Sequence, residues 1–297
     1  MHPTAFVVPF FGGHEIRWYG IMMALAMLVG SWIAYRMLKS RGLNGDVIFD
    51  GLIYYVLAGI IGARLVYVLT NLSEFSSNLP EIIRIDHGGL SFHGGIIFGI
   101  IACWLYYRNR TDVTFMQVMD SMAPAVAAGI ILVRIGNYLN GDILGYKSRL
   151  PWAMNFPYDS YHTATTRTDI FLRHPTEIYG MLVGVILLFM MLNFYRRRPW
   201  DGYLFWAFIG WYSFIRSVIE EPFRSVPIIL PIYTNVNSGV GILTLTQLVS
   251  VPLIILSIYM IARHSTLATR GEKPPTQPTR PTQKKRRARG LKRPTAV

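Results

Sequence analysis

Apolar residues in this chain gather into runs of about 18–22, the length of helix that crosses the hydrocarbon core of a bilayer. No other feature constrains the fold as tightly. Lipid offers no water to backbone amides and carbonyls, so such a run must satisfy its own hydrogen bonds as a helix. Seven candidate spans follow: 18–38, 47–70, 89–107, 115–133, 178–195, 202–219 and 241–262. The fifth, around MLVGVILLFMMLNFY, is the least interrupted, whereas Asp120 and Pro124 break the pattern of the fourth. With 52% of its 297 residues hydrophobic and 15% charged, the chain is too apolar for an ordinary soluble domain. The expected fold is all-α, a polytopic integral membrane protein of about seven transmembrane helices.

Orientation follows from lysines and arginines in short loops, which favour the cytoplasmic side. Lys39 and Arg41 follow the first span, Arg108 and Arg110 the third, Arg196, Arg197 and Arg198 the fifth, and a basic tail the seventh. The C-terminus is therefore expected in the cytoplasm and the N-terminus outside. The 71–88, 135–177 and 220–240 loops are expected outside too, the middle one being the larger. The segment before the first span lacks the basic start and apolar core of a cleavable signal peptide, so the first span is expected to target the chain.

The formal net charge of +13 is uneven: from Arg263 onward there are eleven lysines and arginines and one acid, Glu272. Residues 1–264 are expected to form the membrane-embedded domain and 265–297 a disordered basic cytoplasmic tail. Beside a membrane, its KKRRAR run points to anionic lipid or a topology anchor rather than to nucleic acid. The single cysteine, Cys103, excludes an intramolecular disulfide and a cysteine-built zinc site.

Ionisable groups in or at the ends of spans are costly and often mark function. Here they are Arg64, His93, Asp120, Arg134, Asp142, Arg216 and Glu220. On this topology all but Asp120 approach the outer half of the membrane, and unrelated structural charges have no reason to share one depth. Arg216 and Glu220, one helical turn apart, would by themselves be read as a local ion pair. With Arg134 at the same depth, they point to a shared anion site. Segment 129–145 begins as apolar helix and ends as a polar, glycine-punctuated turn carrying Arg134, Gly136, Asn137, Asn140, Gly141, Asp142 and Gly145. Glycine allows close backbone approach, and the arginine fork suits phosphate. At a membrane face the combination suggests a grip on a lipid headgroup. His93, between Ser91-Phe92 and Gly94-Gly95, is a usable base near neutral pH, and the absence of partners at ligand spacing argues against a metal. Arg173-His174-Pro175-Thr176-Glu177 reads as a capped helix start. A transporter for an anionic solute and a non-catalytic lipoprotein-binding scaffold are the alternatives to a lipid-headgroup enzyme.

The sequence resembles the bacterial prolipoprotein diacylglyceryl transferases. The family signature G-x-R-x-G-N-x-x-N-G-E-x-x-G is matched by Arg134, Gly136, Asn137, Asn140, Gly141 and Gly145, with Asp142 in place of the glutamate and Leu132 in place of the first glycine. Trp18-Tyr19-Gly20, Gly62-Ala63-Arg64, the run from Gly88 to Gly95, Arg173-His174-Pro175-Thr176, and Arg216 with Glu220 match further motifs in order. The family has an arginine three residues after that glutamate; here Arg224 follows at four, behind an additional Glu221-Pro222. The resemblance covers Trp18 to about Pro252 and does not extend to the tail.

This resemblance implies a multi-pass enzyme of the bacterial inner membrane. It would move the sn-1,2-diacylglyceryl group from phosphatidylglycerol to the lipobox cysteine of preprolipoproteins, forming a thioether and releasing glycerol phosphate. No metal or organic cofactor is implied. The expected partners are phosphatidylglycerol, lipobox peptides and membrane lipids, with no nucleic acid, and a monomer is expected. For that chemistry Arg134 and Arg216 are the expected phosphate ligands, with Asp142 and Glu220 holding them. Asn137, Asn140, Gly145 and Arg64 complete the expected substrate site. His93 is the expected general base and Tyr19 its orienting hydroxyl.

Overall fold

The computed structural model describes residues 3–9, 14–75, 79–85, 88–141, 143–156, 172–225, 233–235 and 240–269. The basic tail beyond Thr269 and Asp142 lie outside the described residues. Among the described residues eight α-helices follow in order: α1 (Trp18–Ser40), α2 (Val47–Thr70), α3 (Leu72–Phe75), α4 (Phe92–Tyr107), α5 (Phe115–Asn140), α6 (Thr176–Arg197), α7 (Tyr203–Ile219) and α8 (Leu245–Thr269). Each apolar run contains a helix, although that of 89–107 starts at Phe92 and that of 241–262 at Leu245, after a strand that includes Gly241 and Ile242, and α3 is a single additional turn. Helix α8 runs past residue 264 to Thr269.

The chain is mostly helical, as an all-α membrane protein is expected to be, and short strands accompany the helices among the described residues. Three two-stranded antiparallel hairpins pair β1 (Thr4–Val8) with β2 (His14–Arg17), β3 (Met154–Asn155) with β4 (Leu172–Arg173), and β5 (Tyr233–Asn235) with β6 (Val240–Ile242). All lie in the segments between or before the apolar helices, where backbone groups not in a helix must still find partners.

Among the described residues five helices, α1, α2, α5, α6 and α8, are long and apolar enough to cross a membrane. Helices α4 and α7 have 16 and 17 residues, about 24–26 Å at 1.5 Å per residue, short of a ~30 Å hydrocarbon core. The outward faces are those of a protein that meets lipid: Trp32, Phe189 and Ile255 are exposed, while Asp120, Glu177, Glu220 and Glu221 are buried. A soluble protein would show the opposite sorting.

Helix α5 is the centre, packed against α1, α6 and α7, with α8 on α7 and α4 on α2. Small residues let the backbones approach, as is usual between helices in lipid. A Cβ on Gly30 of α1 would stand 3.6 Å from the Ala125 carbonyl of α5, and one on Gly184 of α6 would stand 3.2 Å from the Ala127 carbonyl. A buried cluster of Ala34, Leu38, Val47, Ile48, Cys103, Tyr107 and Val118 joins α1, α2, α4 and α5.

Charges at one end of the bundle are fastened for structure. Thr114 and Gln117 form a capping box at the start of α5. Gln117 Nε2 donates to Asp201 at 2.9 Å, and Arg41 pairs with the same carboxylate. Asp120 accepts from Gly202 N (2.8 Å) and Phe205 N (3.1 Å). It caps α7 across the helix interface, which explains an acid inside an apolar span.

At the other end, α5 does not stop at residue 133 as its hydropathy suggests. It continues to Asn140 and ends at Gly141, a left-handed residue (φ 72°) whose N–H bonds the Asn137 carbonyl at 2.8 Å. Arg134, Gly136, Asn137 and Asn140 are thus helical, fixed relative to one another by helix geometry.

Candidate active site

The end of α5, the starts of α1 and α6 and the end of α7 meet at this second end. Two glycines permit the meeting. A Cβ on Gly136 would stand 3.1 Å from Tyr19 Cα and from Met22 Cβ, so Gly136 serves close packing with α1 rather than a turn. A Cβ on Gly180, one turn into α6, would collide with Arg134 Nε and stand 3.0 Å from Glu220 Oε2.

In that space lies a cluster of five charges. Arg134 Nη2 bonds Glu220 Oε1 at 2.6 Å. Arg216 Nε is 3.9 Å from Glu220 Oε2, and its Nη2 is 3.4 Å from Glu221 Oε2. Arg224 Nη1 is 3.9 Å from Glu220 Oε1 and 3.5 Å from Glu221 Oε2. The Glu220 and Glu221 side chains are 2% and 1% exposed, the arginines 12–21%. Among the described residues three guanidiniums meet two carboxylates, leaving one positive charge in excess. Burial pulls the Arg224 pKa down, opposed by Glu220 and Glu221, but arginine remains charged at neutral pH. The arrangement suits a phosphate, which would supply the missing negative charge and accept from the forks.

Residues 143–147, just past the end of α5, tie the site together. Leu144 O accepts from Ser225 N (2.8 Å), and Tyr146 N donates to Phe223 O (2.9 Å), joining this segment to the turn that carries Glu221 and Arg224. On the other side Tyr146 O accepts from His174 N (3.0 Å), Ile143 O from Thr176 Oγ1 (2.9 Å) and Gly145 O from Arg173 Nη1 (3.2 Å). A Cβ on Gly145 would collide with the His174 carbonyl. Gly145 therefore acts through close backbone packing. His174 is buried against Phe223, ring centroids 4.7 Å apart, with Nδ1 3.1 Å from the Tyr179 hydroxyl. Burial lowers its pKa.

The structure brings together Arg134, Arg216 and Glu220, with Tyr19 of α1 packed against Gly136 and Asn137 and Asn140 buried on the last turns of α5. Asp142 falls outside the described residues. Arg64 belongs to a different set of contacts: it donates to the carbonyls of Ile82 (2.8 Å), Gly88 (2.7 Å), Gly89 (2.9 Å) and Glu81 (2.5 Å). It clamps the loop between α3 and α4. His93 is exposed on the first turn of α4, carried by a different helix pair from the arginines. Its flanking glycines serve packing, since a Cβ on Gly94 would collide with the Gly62 carbonyl of α2. Sequence reasoning missed Gly180 and Glu221 and left Arg224 unassigned. A glycine in the first turns of an apolar helix is the one signal that marked Gly180.

Residues 5–263 match the profile of a family described as prolipoprotein diacylglyceryl transferase. The phosphatidylglycerol–prolipoprotein diacylglyceryl transferase of Thermus thermophilus is 42% identical over 268 residues, covering 85% of this chain and 95% of the relative. Relatives of the same name from Thermoanaerobacter and Deinococcus radiodurans are 34% and 33% identical, covering 88% and 85% of this chain and 93% and 83% of their own.

Proposed function

Because the chain belongs to the prolipoprotein diacylglyceryl transferase family, we propose that it transfers the sn-1,2-diacylglyceryl group of phosphatidylglycerol to the lipobox cysteine of preprolipoproteins. The observation that supports the site assignment is the convergence of Arg134, Arg216 and Arg224 on Glu220 and Glu221 at one end of an apolar bundle, three positive charges to two negative among the described residues.

In the reaction the substrate's thiolate attacks the glyceryl carbon next to the phosphate ester. The new C–S bond forms as the C–O bond breaks, and its electron pair stays on the phosphate oxygen. A singly charged diester becomes a doubly charged monoester, glycerol phosphate. Negative charge grows on the phosphate, so donors aimed there bind the transition state more tightly than the ground state. One such donor is worth about 2.7–4 kcal/mol. Arg134 and Arg216 hold the phosphate, and Glu220 spaces and orients them. Asp142 has the same holding role by its place in the signature. Asn137, Asn140 and Gly145 shape the pocket. His93 takes the thiol proton and Tyr19 orients the reacting groups. Arg64 contributes by fixing the loop that leads into α4.

The chain spans the bacterial inner membrane seven times in this reading, with α4 and α7 crossing where the bundle thins the lipid. The N-terminus and the site lie outside and the tail lies in the cytoplasm. It acts as a monomer without metal or organic cofactor.

The test is glycerol phosphate release by the purified protein in detergent–phosphatidylglycerol micelles with a synthetic lipobox peptide. Release is expected with the cysteine peptide and not with its serine counterpart. Equal release with both, or none from folded protein even in bacterial lipid, overturns the reading.

A further inference from the structure

We propose that Glu221 and Thr244 form a positioning pair that aims the Arg216 guanidinium at the lipid phosphate; this rests on the function proposed above. Neither residue belongs to the motifs that carried the resemblance. Glu221 sits in the turn after α7 and Thr244 immediately before α8, and both are buried. Thr244 Oγ1 donates to Glu221 Oε1 at 3.0 Å, while Glu221 Oε2 faces Arg216 Nη2 at 3.4 Å and Arg224 Nη1 at 3.5 Å. One carboxylate oxygen is thus held by the hydroxyl and the other turned to the arginines.

Thr244 is itself fixed from several sides. Its hydroxyl accepts from Gln247 N (3.2 Å), and Gln247 Oε1 accepts from Leu243 N (2.7 Å) and Thr244 N (3.1 Å), a reciprocal cap on α8. Gln247 Nε2 reaches back to the Ser217 carbonyl in the last turn of α7 (3.0 Å). Leu243 has φ 65°, the one positive φ outside glycine among the described residues. A branched side chain rarely takes that conformation, and such strain persists only where the surroundings impose it. The start of α8 is therefore locked onto the end of α7 in the geometry that presents the hydroxyl to Glu221.

Arg216 needs this second carboxylate. Its contact with Glu220 is 3.9 Å, beyond hydrogen-bond reach, and Glu220 makes its short bond to Arg134 instead. Glu221 is the nearer acid, and with the Tyr212 ring, 5.8 Å from the guanidinium carbon, it sets the plane of the fork. The additional residue between Glu220 and Arg224 has the same outcome. The tight turn Glu221–Phe223 returns Arg224 to the same carboxylates.

The test is steady-state transfer by wild type, Thr244→Val, Thr244→Ser, Glu221→Gln and the Thr244→Val/Glu221→Gln double variant, with lipid and peptide varied separately and melting followed in parallel. Thr244→Val should lower kcat/KM for phosphatidylglycerol about ten-fold, the scale of one hydrogen bond to a charged group. KM for the peptide should not change, and Thr244→Ser should restore the value. The double variant should be no worse than Glu221→Gln alone, because the hydroxyl acts through the carboxylate. Additive losses, a fall that tracks lost folded protein with both KM values unchanged, or wild-type kinetics in Thr244→Val overturn the pair. An active wild type with a normal Thr244→Val sinks the pair alone, whereas an inactive folded wild type sinks the transferase reading beneath it.

Discussion

Glu220 is the residue that three arginines share, at 2.6 Å from Arg134 and 3.9 Å from Arg216 and Arg224. A buried ion pair of this kind is weak evidence for stability, because desolvation offsets much of the attraction. Its value here is directional: the carboxylate fixes where the guanidiniums stand relative to one another. His174 behaves differently, as a buried neutral group. Unfolded, it titrates near ~6.5, and burial lowers that value in the fold. Between the two values the unfolded chain binds the extra proton. The stability contributed by neutral His174 is therefore complete above the unfolded pKa, falls as pH drops through it, and levels off below the folded pKa. Melting in detergent from about pH 8 to about pH 5 should show an acid-side decline that His174→Gln reduces. An identical decline in the variant would assign it to other groups.

At the scale of elements, the site depends on how closely α6 approaches α5. Gly180→Val would push into Arg134 and Glu220, whereas Gly184→Val, one turn further, would meet Ile131 Cγ1 at 2.8 Å and Ala127 O at 3.2 Å. Both overpack the same interface, at a cost of about 1–3 kcal/mol. Only Gly180→Val should also reduce turnover of the folded protein, by at least about ten-fold, through displacement of one charge-assisted contact. Equal losses in the two variants, in proportion to their melting temperatures, would mean that the approach is structural only. The apolar helices were legible because lipid forces long hydrophobic runs into helices; the expected 47–70 span coincides with α2 (Val47–Thr70). The end of α5 was not, since Gly136 reads as a turn residue in sequence and as a close-approach residue once α1 lies against it. Arg134, Arg216 and Glu220 were legible from shared depth. The partners of Asp120 and Arg64 were not: both bond backbone groups distant in sequence, and no side-chain pattern marks a free amide or carbonyl. Glu221 looked like a disturbance of spacing until the turn that follows α7 placed it on Arg216.

For the whole molecule, the charges divide by end. At one end Arg41, Gln117, Asp120 and Asp201 fasten helices to each other. At the other, Arg134, Arg216 and Arg224 outnumber the carboxylates they touch among the described residues. An apolar bundle with three arginines gathered on two carboxylates at one end, among the described residues, fits the proposed binding of an anionic headgroup. The central claim is that the Arg134 fork, not its charge alone, grips the phosphate. Its most direct test is glycerol phosphate release by Arg134→Lys beside wild type, at matched folded protein. Loss of the fork should lower turnover by about 10²-fold or more, the scale of a missing oxyanion donor, with melting little changed. Turnover near wild type in Arg134→Lys would contradict the claim and leave the charge without the geometry.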